Sequence, residues 1–206
     1  MSGQVVTVLP ADMSQPGLYT VLYRVTDSHG NTSELSRTVE VQDRTSPEIT
    51  VLGSASVLHE AGHPYEDAGA SVSDKVDQGL QAEVLNPVDV TKPGEYQVTY
   101  TASDLSGNKA APVTRSVTVQ DTTAPALTLQ GIAEVWVEAG TVYEDAGAVA
   151  QDLVDKELVV VTVNPVDIRR VGEYEVTHDV TDASGNAAQR VTRKVEVRDT
   201  VAPVIT

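Results

Sequence analysis

The chain of 206 residues contains no cysteine and no phenylalanine, a single tryptophan (Trp136) and seven tyrosines. Without cysteine there are no disulfide staples and no thiol nucleophile, although the compartment stays open, because many exported bacterial proteins carry none. Basic residues are scarce: 14 Lys and Arg stand against 30 Asp and Glu, a formal charge of −16. Such a surface repels nucleic acid phosphates and anionic lipid but attracts divalent cations. No nucleic-acid partner is therefore expected. No run approaches the roughly 18 apolar residues of a membrane span, so no membrane insertion is expected either. The opening residues have neither the charged nor the apolar region of a signal peptide, which reads either as an artificial start or as an interior excised from something longer. What the chain does have in quantity, Val, Thr, Ala and Asp, favours short β-strands over helices.

Self-comparison reveals a repeat. "TSPEITVLG" at 45–53 returns as "TAPALTLQG" at 123–131, and "VAPVIT" closes the chain; the prolines at 47, 125 and 203 are 78 residues apart both times (125 − 47, 203 − 125). "YEDAGASVSDKVD" returns as "YEDAGAVAQDLVD", and "PGEYQVTYTASDLSGN" as "VGEYEVTHDVTDASGN", with an earlier copy, "PGLYTVLYRVTDSHGN", near the start. The expected organisation is the back half of one repeat (1–44), two complete repeats (45–121 and 122–199) and the start of a further one (200–206).

Within each repeat the period is two. Tyr96, Val98, Tyr100 and Ala102 share one strand face, a register repeated by Tyr174, Val176, His178 and Val180 and by Tyr19, Val21, Tyr23 and Val25. Asp-x-x-Gly-Asn follows as a tight turn, then a second strand. About seven strands per repeat are expected, with turns every 8 to 12 residues or so, which points to an all-β sandwich.

One string invites a catalytic reading. "HEAGH", 59–63, has the His-Glu-x-x-His spacing of zinc peptidases, in which a helix places both imidazoles on one face. The copy 78 residues on reads "VEAGT": Glu60 and Gly62 return as Glu138 and Gly140, while His59 and His63 become Val137 and Thr141. Gly62 within the motif and Pro64 after it disfavour a helix. On a strand, residues four apart lie about 13 Å apart, too far for one zinc ion. A strand ending in a glycine turn is expected, and no enzyme. The remaining histidines, His29 and His178, align with Ser106 and Tyr100, so no triad recurs.

The "APxIT" opening, "VEAG", Tyr-x-Asp-x-Gly-Ala-x-x-x-Asp-x-x-Asp, "PGEYxVTYTxxD" with its Gly-Asn turn and the closing Val-x-Val-x-Asp resemble the bacterial immunoglobulin-like repeats found in tandem on surface proteins and at the ends of some pesticidal crystal proteins. The resemblance covers essentially the whole chain. It implies tandem Greek-key β-sandwiches, cadherin-like in architecture, in an extracellular array. The familiar loop of such repeats reads roughly Asp-Asn-x-Asp-Gly, where this chain has "DKVDQG" and "DLVDKE".

In an Ig-like sandwich the B-C loop lies beside the F-G turn at the end where the chain enters. Asp74 and Asp77 from the loop, Asp104 and Asn108 from the turn and Asp43 from the preceding strand are thus expected to converge on the linker; Asp121, Asp152, Asp155, Asp182 and Asn186 form the equivalent set. Taken singly, Asp and Asn in turns often bond only their own backbone. Gathered together they need neutralising, since two unit charges about 5 Å apart repel by roughly 3 kcal/mol at an effective dielectric of 20. An all-oxygen set suits calcium better than magnesium or zinc. Asp67 and Asp145 read as strand-end caps in preference to a second ion. Arg37, Arg115 and Arg193 break the apolar register of the last strand, and either a bulge or a partner carboxylate would account for them.

The expected function is structural: a stalk or spacer segment of an extracellular surface protein or adhesin, rigidified by calcium at its linkers, with neighbouring repeats as partners. The alternative is a glycan- or protein-binding module appended to a secreted enzyme or toxin, although one Trp and scattered Tyr offer no evident aromatic platform. The half repeat is either completed by strands of another chain or is part of a longer array, the second being favoured.

Overall fold

The computed structural model describes residues 5–10 and 12–205; residues 1–4, 11 and 206, which belong to the expected spans 1–44 and 200–206, lie outside the described residues. Every regular element among the described residues is a strand. The first segment contributes β1 (Val5–Val8), β2 (Gly17–Thr26) and β3 (Thr32–Val41), an antiparallel sheet in the order β1-β2-β3. Next come β4 (Glu48–Val51), β5 (Ser56–Glu60), β6 (Ala70–Ser73), β7 (Glu83–Leu85), β8 (Gly94–Thr101) and β9 (Val113–Gln120). The last set is β10 (Ala126–Leu129), β11 (Glu134–Glu138), β12 (Ala148–Gln151), β13 (Val161–Val163), β14 (Gly172–Asp179) and β15 (Val191–Arg198).

The chain resolves into two compact units, 1–57 with 66–88 and 96–117, and 58–65 with 89–95 and 118–206. The first holds the repeat boundary at 44/45 and the second those at 121/122 and 199/200. In the second unit, β10 pairs with β12 in a two-stranded sheet, and the other sheet runs β11-β15-β14-β13. Its β11 lies parallel to β15, while the other pairings are antiparallel. The first unit has the matching β4·β6 pair, and the order β5-β9-β8-β7 repeats the four-stranded arrangement. This is the tandem Ig-like sandwich expected from the period-two pattern. Six strands form per complete repeat where about seven were expected. The stretches before β8 and β14 hold only three-residue strands, because Pro87 and Pro93, and Pro165 in the next copy, have no amide to give a ladder.

The inward faces match the alternation. Val98, Tyr100, Val117 and Val119 are buried, as are Val176, His178, Val195 and Val197. The arginines in this register are solved by a partner carboxylate together with carbonyls. Arg115 is 1% exposed, bonds Asp67 and the carbonyls of Leu52 and Ser54, and sits 5.7 Å from the Tyr100 ring centroid. Arg193 does the same with Asp145, Gln130 O and Ile132 O. Asp67 also accepts from Tyr100 Oη at 2.8 Å. In the later repeat, where His178 replaces that tyrosine, Tyr143 Oη donates to Asp145 at 2.9 Å and His178 Nε2 lies 3.3 Å from its other oxygen. Burial pushes Asp145 up, but bonds from Tyr143, the Gly147 N–H and Arg193 together hold it below the ordinary carboxylate range. Asp67 and Asp145 therefore anchor an arginine in the core.

Candidate metal centres at the repeat boundaries

Each boundary is assembled from three short segments by hydrogen bonds that their own sequences dictate. Within the first unit, Asp74 closes an Asx turn after β6, its Oδ1 accepting from Val76 N at 2.8 Å and Asp77 N at 3.0 Å. Asp77 Oδ2 then accepts from Leu105 N at 2.9 Å, tying this loop to the turn after β8. That turn is closed by Asp104 N donating to Asn108 O at 3.0 Å, with Gly107 at φ +89° supplying the left-handed residue. Asp104 takes both the N–H and the side-chain amide of Asn108, each at 2.7 Å. The same amide nitrogen donates to Asp43 O at 3.2 Å and so holds the linker.

The second unit repeats the frame. Asp152 accepts from Val154 N (2.7 Å) and Asp155 N (3.0 Å), Asp155 from Ala183 N (3.0 Å), and Asp182 from Asn186 N (2.7 Å) and Nδ2 (2.8 Å). Asn186 Nδ2 reaches Asp121 O at 3.1 Å. In both units all five residues anticipated from the sequence meet in one connected network.

Carboxylates crowd within each network. Oxygens of Asp43, Asp74 and Asp104 lie within 4.8 Å of one another, as do those of Asp121, Asp152 and Asp155. Asp77 and Asp182 stand outside these triads, the first as a staple and the second held by its asparagine. The amide hydrogens of Asn108 and Asn186 are spent on structure. At such separations each carboxylate pair repels by roughly 3 kcal/mol at an effective dielectric of 20. Asp43 Oδ2 and Asp121 Oδ2 are both buried with no hydrogen-bond partner. A buried, unpaired carboxylate oxygen is costly, and a hard dication with six to eight oxygen ligands fits a donor set made only of oxygen. The aspartates of each triad are the residues that would hold it.

The leading carboxylates differ in their titration. The Thr45 hydroxyl, with the Thr45 N–H, holds Asp43 below the ordinary carboxylate range. Burial pushes Asp121 above it, with Asp152 and Asp182 adding, against bonds from the Thr123 N–H and the Ser184 hydroxyl.

Glu60 and Glu138 also shape these boundaries, a role that sequence reasoning did not assign. Glu60 accepts from Thr122 N (2.8 Å), Thr122 Oγ1 (2.8 Å) and Thr123 Oγ1 (2.9 Å), and Glu138 accepts from Thr200 N (2.8 Å) and Oγ1 (2.6 Å). The signal was the recurrence of "EAG" when the flanking histidines did not recur. His59 and His63 instead face backbone carbonyls, His59 Nε2 at 2.9 Å from His63 O and His63 Nδ1 at 3.2 Å from Ala61 O. Strand β5 runs up to Glu60, as expected, and Gly62 turns the chain at φ +76°.

Comparison with known proteins finds similar chains. Over 220 residues the chain is 32% identical to hyalin of Strongylocentrotus purpuratus, covering 97% of this chain and 18% of that protein. It is 28% identical over 187 residues to a pesticidal crystal protein of Bacillus thuringiensis, covering 86% and 25% respectively. A protocadherin gammaB7 cis-dimer structure aligns with 97% of this chain and 68% of its own at 15% identity and a TM-score of 0.40. The chain thus spans a quarter or less of these two curated relatives. The family model described as "Bacterial surface protein, Ig-like domain", a non-catalytic domain type, matches residues 3–41, 49–119 and 127–197. With its period, its two-sheet repeats and its arginine-anchored cores all accounted for, the chain belongs to the bacterial surface Ig-like domain family.

Proposed function

We propose that this chain is a stalk or spacer segment of an extracellular surface protein, and that calcium stiffens its repeat boundaries. One observation carries the reading: Asp121, 7% exposed, keeps an unpartnered oxygen beside Asp152 and Asp155, which come from another segment. An apolar or hydrogen-bonded residue would serve a purely structural boundary better than three facing carboxylates. Bound calcium would neutralise the triad and fix linker and loop to one another, and the same holds at Asp43. Pro47 and Pro125, both buried, already restrict φ in each linker. The test is small-angle scattering in calcium and in EDTA, with calorimetric titration of calcium. A maximum dimension that changes on chelation, with two binding events weakened by Asp152→Ala and Asp74→Ala respectively, supports the reading. An unchanged profile and no binding heat defeat it.

A second reading, a module that grips glycan or protein, has one observation in its favour. Trp136 is 58% exposed, with the Arg198 guanidinium 5.9 Å from its ring centroid. Glycan-array binding abolished by Trp136→Ala would promote it.

A further inference from the structure

The first segment presents a face that both complete repeats show covered. Val39 and Val41 are half-buried, whereas their counterparts Val117, Val119, Val195 and Val197 are at most 2% exposed, and Leu35 is 72% exposed where Val113 and Val191 are half-buried. Arg37 is exposed and makes no hydrogen bond or ion pair among the described residues, whereas Arg115 (115 − 37 = 78) and Arg193 (193 − 115 = 78) are buried and fully ligated. The ligands of those two arginines, Leu52 O, Ser54 O and Asp67 in one case and Gln130 O, Ile132 O and Asp145 in the other, all come from the opening half of a repeat. Among the described residues no strand pairs with the outer edge of β3. Its counterpart β15 carries the parallel strand β11 there, with Lys194 N donating to Ala133 O and Arg198 O accepting from Ala139 N. Ser116 N donates to Ala55 O, and Gln120 O accepts from Ala61 N, in the same way.

We propose that the face and edge of β3 bind one occupant: the opening half of a repeat of this sequence type, of the kind carried by residues 45–81. Its second strand lies parallel to β3 along Thr38–Gln42, the positions of Lys194–Arg198 less 156 (2 × 78). The Thr38 amide donates to it and the Gln42 carbonyl accepts from it. An aspartate equivalent to Asp67 closes on Arg37, so that charge complementarity fixes the register. A generic apolar partner would cover the valines and leave the guanidinium buried and unpaired, which is strongly unfavourable. A parallel strand bearing that aspartate satisfies both.

The test uses the full chain, alone and with a copy of residues 45–81 joined ahead of Val5. The splice keeps register, because Val6 faces Arg24 as Glu83 faces Thr101, at equivalent positions in β2 and β8. Hydrogen exchange of the Thr38 amide is expected to slow at least tenfold in the extended chain, and Arg37→Ala or alanine in place of the added aspartate should reverse most of that. The same segment added as a free polypeptide should protect Thr38 in a saturable, one-to-one manner. Sedimentation of the unmodified chain supplies a readout independent of any variant's folding. Unchanged Thr38 exchange in the extended chain overturns the proposal. So does an unmodified chain that dimerises with Thr38 already protected and keeps that protection in Arg37→Ala, which would give the face to a second copy through some other contact.

Discussion

The two linkers, 43–47 and 121–125, share a sequence pattern and a hydrogen-bond frame, yet their leading carboxylates are pushed in opposite directions. Asp43 accepts both the N–H and the hydroxyl of Thr45, at 2.9 and 2.6 Å. Asp121 receives from the equivalent residue, Thr123, only the N–H at 3.2 Å, because the Thr123 hydroxyl has turned to Glu60. Among the described residues no glutamate takes the Thr45 hydroxyl as Glu60 takes that of Thr123. A strand end distant in sequence thus decides whether the linker carboxylate has a local donor or must look elsewhere for compensation. If the first segment acquires the opening half-repeat, the first linker should come to resemble the second.

The largest perturbation of this comparison is to remove the scaffold beneath one linker. Arg193→Ala leaves Asp145 buried without its main partner and should cost about 3–5 kcal/mol, read as early melting of the last repeat, whereas Arg37→Ala should change stability by less than about 0.5 kcal/mol. Next in size is the ion. Calcium at about 100 times its dissociation constant should stabilise each occupied boundary by about 2.7 kcal/mol, visible in calorimetry as a raised melting temperature that chelation reverses. Gly62→Ala acts on the second linker alone: an added Cβ would lie 2.9 Å from Leu153 Cβ, at φ +76°, and a loss of about 1–2 kcal/mol is expected from thermal melting.

A smaller effect carries the sharper sign. In EDTA at neutral pH, Asp121→Asn should stabilise the chain and Asp43→Asn should destabilise it. Asp121 titrates above its ordinary value of 3.8, so its ionised form penalises the folded state above the folded pKa, and the penalty is relieved as pH falls through that pKa. Asp43 titrates below 3.8, so its contribution is present above that value and is lost as pH falls through the folded pKa. With calcium present, Asp121→Asn should become unfavourable; the same sign in both buffers would remove the ion from the second boundary. Smallest of all, Glu60→Ala should free the Thr123 hydroxyl for Asp121 and lower the Asp121 pKa, which side-chain carboxyl chemical shifts against pH would detect.

The sandwich was legible because Tyr, Val and Thr alternate over strands long enough to set the inward face, and because a 78-residue period aligns every turn. The convergence of Asp74, Asp77 and Asp104 with Asp43 was legible for a related reason: Asp-x-x-Asp and Asp-x-x-Gly-Asn are turn formers whose places in the fold follow from the strands around them. The division of labour was not legible. Asp77 also accepts from the Leu105 amide and Asn108 also donates to the Asp43 carbonyl, and a sequence does not show which backbone groups are left over for such contacts. Arg115 was equally opaque, since two of its three main partners are the carbonyls of Leu52 and Ser54, which any residue would supply. Glu60 was conspicuous for the wrong reason: the histidines around it drew attention to zinc chemistry, while its actual partners, Thr122 and Thr123, lie about 60 residues away.

The parallel pairing of β11 with β15 bears on how such a module responds to pulling. Tension entering near Ala126 and leaving past Arg198 draws the two strands along their length in opposite senses. Every hydrogen bond between them is then loaded together, and none can be unzipped one at a time from an end. The last complete repeat is therefore wired to resist stretching at the strand pair that carries the load.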